Sequence, residues 1–175
     1  LGESFDVHSG GVDLVFPHHE NEIAQSEGAT GCCFSNHWFH VTHLMVENQK
    51  MSKSLGNLYT LDDIEAKDFS AADVRYVLLM AHYRKPLNFT WDSLHTAKQS
   101  RQKITDAIKK LKEKAGVSEL PAYGSAVSNL GAFQAAWDSL LSDLNTAEAF
   151  GKLFSGLKDI DKGDAKENLE ALCFI

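Results

Sequence analysis

The sequence predicts an α/β fold in which a parallel sheet is followed by an all-helical region. Two observations support this prediction. Between Phe5 and Asn57, apolar β-branched segments alternate with a helical segment and a polar loop, which is the order typical of a parallel sheet. After Pro86 the chain changes character, and its apolar residues follow helical spacing.

The first elements can be assigned in order along the chain. The segment FDVHSGG, residues 5–11, is predicted as a short buried strand that ends in glycines. Pro17 suits the first position of a helix, which we expect to run through HHENEIAQSE and to end near Gly28. The segment WFHVTHLMV, residues 38–46, is predicted as the next strand, and NQKMSKSLGN, residues 48–57, as an exposed loop.

Signals for helix starts follow the loop. The acidic pair DD at residues 62–63 and the segment SAAD at residues 70–73 are typical of helix N-termini. The pattern is then helical over residues 91–114. The AGVSELPAYGS segment that follows is predicted as a loop.

The last part of the chain is predicted to be entirely helical. Residues 130–172 read as helices separated at Asn145 and Gly163, and Asn145 with Glu148 matches the logic of a capping box. We place a boundary near residue 120. The prediction is therefore a first domain of residues 1–119 and a helical domain of residues 120–175.

Composition narrows the class of protein. A chain of 175 residues with 43% hydrophobic content can bury a core, and no apolar run reaches the ~18 residues that a membrane span requires. Its three cysteines, two of them adjacent at Cys32 and Cys33, fit no disulfide framework and favour a reducing, cytoplasmic setting. We expect no membrane partner.

The chain is acidic overall, but its basic residues are concentrated in one segment. The formal net charge of −7 argues against a nucleic-acid partner. However, Lys98 to Lys114 contains seven basic and two acidic residues, which makes this segment strongly positive. It is either a solvated helix face or a surface for nucleic acid; in the second case we expect Arg101 and Lys103 to contribute.

The segment PHHENE, residues 17–22, places imidazoles beside carboxylates. In a helix that starts at Pro17, His18 and Glu22 lie four residues apart on one face, and both side chains can bind zinc. The zinc-protease signature H-E-x-x-H fails because position 23 is isoleucine. A metal site and a polar helix start with a weak surface hydrogen bond both remain open.

Two further segments have the composition of nucleotide-binding loops. The lysines and serines of KMSKSLGN, residues 50–57, can gather around phosphate oxygens and neutralise a leaving pyrophosphate. In HSGGVD, residues 8–13, the paired glycines allow close approach of a nucleotide, and Asp13 can accept hydrogen bonds from ribose hydroxyls.

Taken together, HSGGVDLVFPHHENEIAQSE, the following W-F-H and KMSKSLGN resemble the cysteinyl-tRNA synthetase family of class I aminoacyl-tRNA synthetases. The resemblance is strong over residues 1–90 and continues more loosely through WDSLLSDLNTAEAF, residues 137–150. It implies the second half of a Rossmann-like, parallel-sheet catalytic domain followed by an all-α bundle. The half that carries the HIGH motif and the anticodon-binding end are expected to lie outside this sequence.

The resemblance also implies a zinc site. In this family one zinc ion is held by two cysteines, a histidine and a glutamate, and the last two match His18 and Glu22. The two cysteine ligands are expected before residue 1, because Cys32 and Cys33 do not match them. Position 42 is threonine where the family often has glycine, which makes the edge of the strand uncertain there.

The remaining site residues are also implied by the resemblance. Lys50 and Lys53 are assigned to catalysis, and Lys53 is the lysine assigned to ATP. The predicted ATP-binding residues are Lys53, Gly10, Gly11, Asp13, Met51, Ser52 and Ser54. The histidines predicted to line the amino-acid pocket are His8, His19 and His40.

The implied reaction is the ATP-dependent ligation of cysteine to tRNA(Cys) through a cysteinyl-adenylate, with Mg²⁺ accompanying ATP. Such a ligase serves protein biosynthesis and has tRNA(Cys), cysteine and ATP as partners. The alternatives are a cysteine ligase of mycothiol synthesis and a non-catalytic nucleotide-binding paralogue. A zinc hydrolase is the most distant alternative, since its signature fails at Ile23.

Overall fold

The computed structural model describes residues 2–122, 127 and 129–175, apart from the side chain of Lys53. These residues form two compact units. The first extends to Leu58 and includes Tyr83–Phe89, and the second comprises Tyr59–His82 and the chain from Thr90 onward. The predicted boundary near residue 120 falls inside the second unit, so the division into domains of residues 1–119 and 120–175 stays a prediction.

The first unit begins with a strand–helix–strand segment. Strand β1 (Phe5–Gly11) pairs in parallel with β2 (Ser35–Val41), and helix α1 (Glu20–Thr30) connects them. This arrangement confirms the predicted strand at residues 5–11. The prediction that it is buried was wrong, because no residue of β1 is fully buried and Val7 is 58% exposed.

Helix α1 begins and ends later than expected. A 3₁₀ turn (Val12–Leu14) and a wider turn (Val15–His19) precede it, and Phe16 within the wider turn keeps an extended backbone before a cis peptide bond to Pro17. Because the residue before a proline avoids the helical region, a regular helix cannot include Phe16, and α-helical hydrogen bonding begins only at Glu20. At the other end, Gly31 with φ 71° provides the left-handed cap in place of Gly28.

The segment predicted as one strand over residues 38–46 forms two. β2 ends at Val41, and β3 (Leu44–Val46) joins a second sheet with the order β4-β3-β5. There β3 pairs antiparallel with β4 (Gln49–Lys50) and in parallel with β5 (Leu87–Phe89), a strand that the sequence pattern did not predict. The chain changes partners at Thr42, whose amide donates to the carbonyl of Tyr83.

The described part of the second unit contains helices and no strand. These helices are α2 (Leu61–Glu65), α3 (Ala71–Leu79), α4 (Trp91–Ala115), α5 (Gln134–Leu141), α6 (Thr146–Leu157) and α7 (Ala165–Phe174). A parallel sheet with these helices confirms the predicted α/β class and the helical region. Of the predicted loop AGVSELPAYGS, residues 115–125, the last three residues lie outside the described part of the structure.

Local capping explains where these helices start. Thr60 and Asp63 form a reciprocal capping box at α2, and Ser70 and Asp73 form another at α3. Both helix starts were predicted. At α6 the Asn145 side chain accepts from the amide of Glu148, as expected from the same spacing.

The core of the second unit is apolar. Helix α4 packs against α7, and α5 packs against α6. Leu111, Phe133 and Leu169 are almost completely buried at the centre of this cluster. Within the described residues, no helix combines the length and the apolar character needed to cross a bilayer.

Candidate active site

The first unit gathers three imidazoles around one carboxylate, with a fourth imidazole behind them. His8 lies on β1, His40 on β2, His18 and His19 in the turn before α1, and Glu22 in the first turn of α1. The parallel register of the two strands sets Gly10 opposite His40 and His8 opposite Trp38. These side chains therefore meet because a strand pair and the start of a helix converge at one end of the sheet.

Two hydrogen bonds connect the cluster. His8 Nε2 lies 2.9 Å from Glu22 Oε2, and His19 Nδ1 lies 2.8 Å from His40 Nε2. His19 Nε2 is 4.0 Å from the same Glu22 oxygen. The potential ligand atoms of His8, His19 and Glu22 all lie within 4.8 Å of one another, a spacing that a single metal ion can bridge.

His18, the predicted partner of Glu22 in metal binding, approaches the Glu22 carboxylate from the solvent side. His18 Nε2 is 3.8 Å from Glu22 Oε1, and the His18 side chain is 60% exposed. Glu22 is thus the residue that connects the predicted metal pair with the predicted pocket histidines. Which imidazoles bind a metal stays a prediction.

The protonation states suit a metal or a polar substrate. Burial lowers the pKa of His19, and the neighbouring imidazoles of His40 and His8 lower it further. The hydrogen bond from His8 lowers the pKa of Glu22. A neutral His19 that donates through Nδ1 to His40 presents a lone pair on Nε2, which is the form that binds cations.

Aromatic rings hold the imidazoles in place. Trp38 lies edge-on to His8 with ring centroids 4.8 Å apart, and it packs against His19 at 5.0 Å. Its ring is also nearly parallel to that of His40, at 6.0 Å. Trp38 was not assigned a role from the sequence, although its position two residues before His40 on one strand face was a usable signal.

Gly10 is needed for close packing within the protein. A Cβ atom there would lie 2.8 Å from His19 Cε1 and 3.0 Å from Leu14 Cδ1. At Gly11 an added Cβ would collide with the Asp13 carboxylate. Asp13 follows the carboxyl end of β1, where parallel sheets commonly bind ligands. The predicted contacts of these three residues with a nucleotide stay predictions.

The predicted phosphate loop follows the hairpin of β3 and β4. β4 ends at Lys50, and a 3₁₀ turn covers Lys53–Leu55. Met51 and Ser52 are half-buried, and the Ser52 and Ser54 hydroxyls are 3.3 Å apart. The side chain of Lys53 lies outside the described part of the structure. Among the described side chains, no hydrogen bond joins this loop to the histidine cluster.

Helix α4 carries the basic segment, but several of its charges are engaged. Arg101 Nη1 lies 2.5 Å from the buried Asp73 Oδ1, and Lys110 and Lys114 both contact Asp161. The guanidinium of Arg101 thus joins α4 to α3, and the expected contribution of Arg101 and Lys103 to nucleic-acid binding stays a prediction. For Lys103, Lys109 and Lys112 the structure shows no ion pair within its described ranges.

Residues 1–99 match the family of tRNA synthetases class I (C) catalytic domains. Among curated proteins, a cysteine–tRNA ligase of Opitutus terrae is 51% identical over 169 residues, with 94% of this chain and 33% of the relative covered. A cysteine–tRNA ligase of Solibacter usitatus is 48% identical, with 92% and 34% covered. The chain thus spans about a third of the length of these relatives.

Solved structures show the same fold at low identity. A ternary complex of Agrobacterium radiobacter K84 agnB2 LeuRS with tRNA and LeuAMS matches with a TM-score of 0.67 and 16% identity, over 95% of this chain and 24% of that one. The methionyl-tRNA synthetase of Mycobacterium tuberculosis in complex with methionyl-adenylate matches with a TM-score of 0.58 and 19% identity, over 95% and 38%.

Proposed function

This chain belongs to the class I (C) tRNA synthetase catalytic-domain family, and on that premise we propose that it forms part of an ATP-dependent enzyme that ligates cysteine to tRNA(Cys). The reaction proceeds through a cysteinyl-adenylate. The observation that carries the proposal is the convergence of imidazoles on Glu22, in a chain whose curated relatives are cysteine–tRNA ligases. We expect the reaction to occur in the cytoplasm.

The donor set of the cluster fits zinc. Imidazole nitrogen and carboxylate oxygen are zinc ligands, and a lowered Glu22 pKa keeps the carboxylate ionised. We assign His18 and Glu22 as the ligands that this chain supplies. When bound, zinc would favour a substrate thiol over an alcohol, because it is a borderline-soft ion that binds thiolate well.

The pocket histidines position the substrate. His19 and His40 hold each other through one hydrogen bond, and His8 is held by Glu22, so each ring has a fixed orientation. Trp38 packs against all three rings. In this proposal they form the wall beside the thiol, and the neutral state favoured by burial of His19 avoids adding a positive charge there.

The nucleotide is bound on two sides. Gly10, Gly11 and Asp13 lie at the carboxyl end of β1, where Asp13 can accept from the ribose hydroxyls. The second side binds the phosphates of ATP with their Mg²⁺, and it is formed by Lys50, Met51, Ser52, Lys53 and Ser54. Catalysis would consist of positioning and of charge stabilisation on the leaving pyrophosphate, without a covalent enzyme intermediate.

The test is zinc analysis combined with cysteine-dependent ATP–pyrophosphate exchange in the full-length protein. We expect His18→Ala and Glu22→Gln to weaken zinc binding by at least about 100-fold and to raise the KM for cysteine, while ATP still binds. His37→Ala is the matched control, because His37 is an exposed histidine on β2 outside the cluster. Unchanged zinc content and cysteine affinity in both variants would refute the metal assignment.

Further variants separate the alternatives. If His8→Ala and His19→Ala release zinc while His18→Ala retains it, the metal lies in the His8–His19–Glu22 set instead. Cysteine-dependent exchange without charging of tRNA(Cys) would favour the amino-sugar ligase. Binding of ATP without any exchange would favour a non-catalytic paralogue.

A further inference from the structure

Asn57 bridges the two ends of the lysine–serine loop. Its Oδ1 accepts a hydrogen bond from the Ser52 amide at 2.8 Å, and its Nδ2 donates to the Lys50 carbonyl at 3.1 Å. Both partners are backbone groups. The carboxamide therefore uses one acceptor and one donor to hold the point where β4 ends and the loop begins.

The backbone of the loop is shaped to make this contact. Gly56 has φ 62°, a left-handed conformation that turns the chain back toward Lys50. Asn57 is only 9% exposed, which makes it one of few buried polar side chains in the first unit. A buried amide with both of its polar groups engaged restricts the backbone that it holds.

The hairpin before the loop is held in a similar way. Glu47 and Asn48 both have positive φ at its tip, and the Asn48 amide donates to Asn88 Oδ1 at 2.8 Å. Asn88 Nδ2 donates in return to Asn48 Oδ1. The tip of the hairpin is thus attached to β5, so that Asn57 closes the loop against a support that is itself fixed.

We propose that Asn57 is a positioning residue that presets the backbone of residues 50–56 for the phosphates of ATP. Stabilisation of developing charge is effective when the donors are in place before the reaction, and a free loop would have to be ordered at each turnover. The amide bridge fixes the backbone of the loop at its entry and exit. The ATP role of this inference rests on the proposed function, whereas the anchoring role does not.

The experiment compares Asn57→Ala and Asn57→Asp in the full-length protein. The alanine variant loses both hydrogen bonds. The aspartate variant keeps an acceptor for the Ser52 amide but presents a second oxygen to the Lys50 carbonyl, which removes that bond. Asn145→Ala is the matched control, because this asparagine also makes two hydrogen bonds but caps α6 in the second unit.

The rate of adenylate formation and the rate of Ser52 hydrogen exchange are the two decisive measurements, and the KM for cysteine and the melting temperature are controls. Pre-steady-state adenylate formation at saturating ATP and cysteine should fall about tenfold in both Asn57 variants, with the KM for cysteine unchanged. Hydrogen exchange at the Ser52 amide should accelerate in Asn57→Ala and stay slow in Asn57→Asp. Asn145→Ala should lower the melting temperature without changing either quantity.

The possible results distinguish a failure of the proposed function from a failure of the role proposed for Asn57. If the unmodified protein shows no cysteine-dependent adenylate formation, the proposed function fails, and Ser52 exchange alone then decides whether Asn57 is an anchor. Slow Ser52 exchange in Asn57→Ala would overturn the anchor. Normal adenylate formation in both Asn57 variants, or an equal loss in Asn145→Ala, would overturn the positioning role.

Discussion

The two units of this chain bury different kinds of side chain. In the described part of the first unit, His19, Ser35 and Asn57 are buried alongside only Val46 and Phe89. In the second unit an apolar cluster that includes Leu111, Phe133 and Leu169 forms a continuous core. In the first unit, therefore, His19 and Asn57, which we assign to function, also contribute to packing. The second unit packs mainly through apolar side chains and buries one carboxylate, that of Asp73, which is paired with Arg101.

This difference has a physical cause and a measurable consequence. An apolar core derives its stability from area removed from water, and nearby polar groups contribute little to it. A cluster of imidazoles and amides gains little from burial and is specified by directional hydrogen bonds. Substitutions in the first unit should therefore mainly change activity, and substitutions in the second should mainly change the free energy of unfolding.

The largest effect is expected at Lys53. We predict that Lys53→Ala slows adenylate formation by about 10²–10³-fold, because it removes a charge that stabilises the leaving pyrophosphate. The melting temperature, measured alongside, checks that the variant is folded. Pre-steady-state pyrophosphate release measures the rate. A normal rate would remove the loop from the mechanism.

In the second unit, Arg101→Ala should lower the free energy of unfolding by about 2 kcal/mol at pH 7. Asp73 is almost fully buried; burial raises its pKa, but hydrogen bonds from Ser70 and Arg101 outweigh this and lower it. Removing the guanidinium leaves the buried Asp73 carboxylate without this positive partner, which destabilises the folded state. Because Arg101 is partly exposed, the loss is smaller than for a fully buried ion pair.

The same pair predicts a pH dependence. Because the folded pKa of Asp73 is lowered, its stabilising contribution is complete above the unfolded pKa of about 4 and is lost as the pH falls through the folded value. The test is urea unfolding of the unmodified protein and of Arg101→Ala between pH 7 and pH 3. The difference between their free energies of unfolding should become smaller at acid pH. A constant difference at all pH values would contradict this explanation.

Two glycines give a direct comparison of the units. At Gly156 on α6, an added Cβ would lie 2.6 Å from the Ala132 carbonyl oxygen and 2.9 Å from the Phe133 ring. We predict that Gly156→Ala destabilises the second unit by about 1–3 kcal/mol, because neither neighbour can move freely in a packed core. Thermal unfolding checks this, and cysteine-dependent exchange per folded molecule should be unchanged.

Gly10→Ala is the counterpart in the first unit. The new methyl group would press on the His19 ring and displace it from His40, so we expect the KM for cysteine to rise about tenfold. The melting temperature should change less than in Gly156→Ala. If Gly10→Ala proves the more destabilising of the two and leaves the KM unchanged, the contrast between the units is wrong.

The smallest effect is expected at the surface of α4. Replacing Lys109 and Lys112 with glutamine should weaken tRNA(Cys) binding a few-fold. It should also make the salt dependence shallower, by up to about one unit of slope for each phosphate that a lysine no longer neutralises. The control is Lys110→Gln, whose ammonium is already paired with Asp161. Equal salt slopes in all of these proteins would identify α4 as a solvated face.

Several features of this protein were determined by the sequence alone. Helix starts at Ser70 and Asn145 were predictable because a cap and its partner lie only three residues apart, so the signal is local in the sequence. The motifs PHHENE and KMSKS likewise indicated the family, which the match over residues 1–99 confirms.

Tertiary structure decided the rest. The bonds from His8 to Glu22 and from His19 to His40 join residues 14 and 21 positions apart, and they depend on the register of β1 against β2. Thr42 marked a doubtful strand edge in the sequence, but a continuous apolar run does not reveal that its two halves pair with different strands. Local spacing predicts contacts within one helical turn, whereas the assembly of this site requires the chain to bring separate elements together.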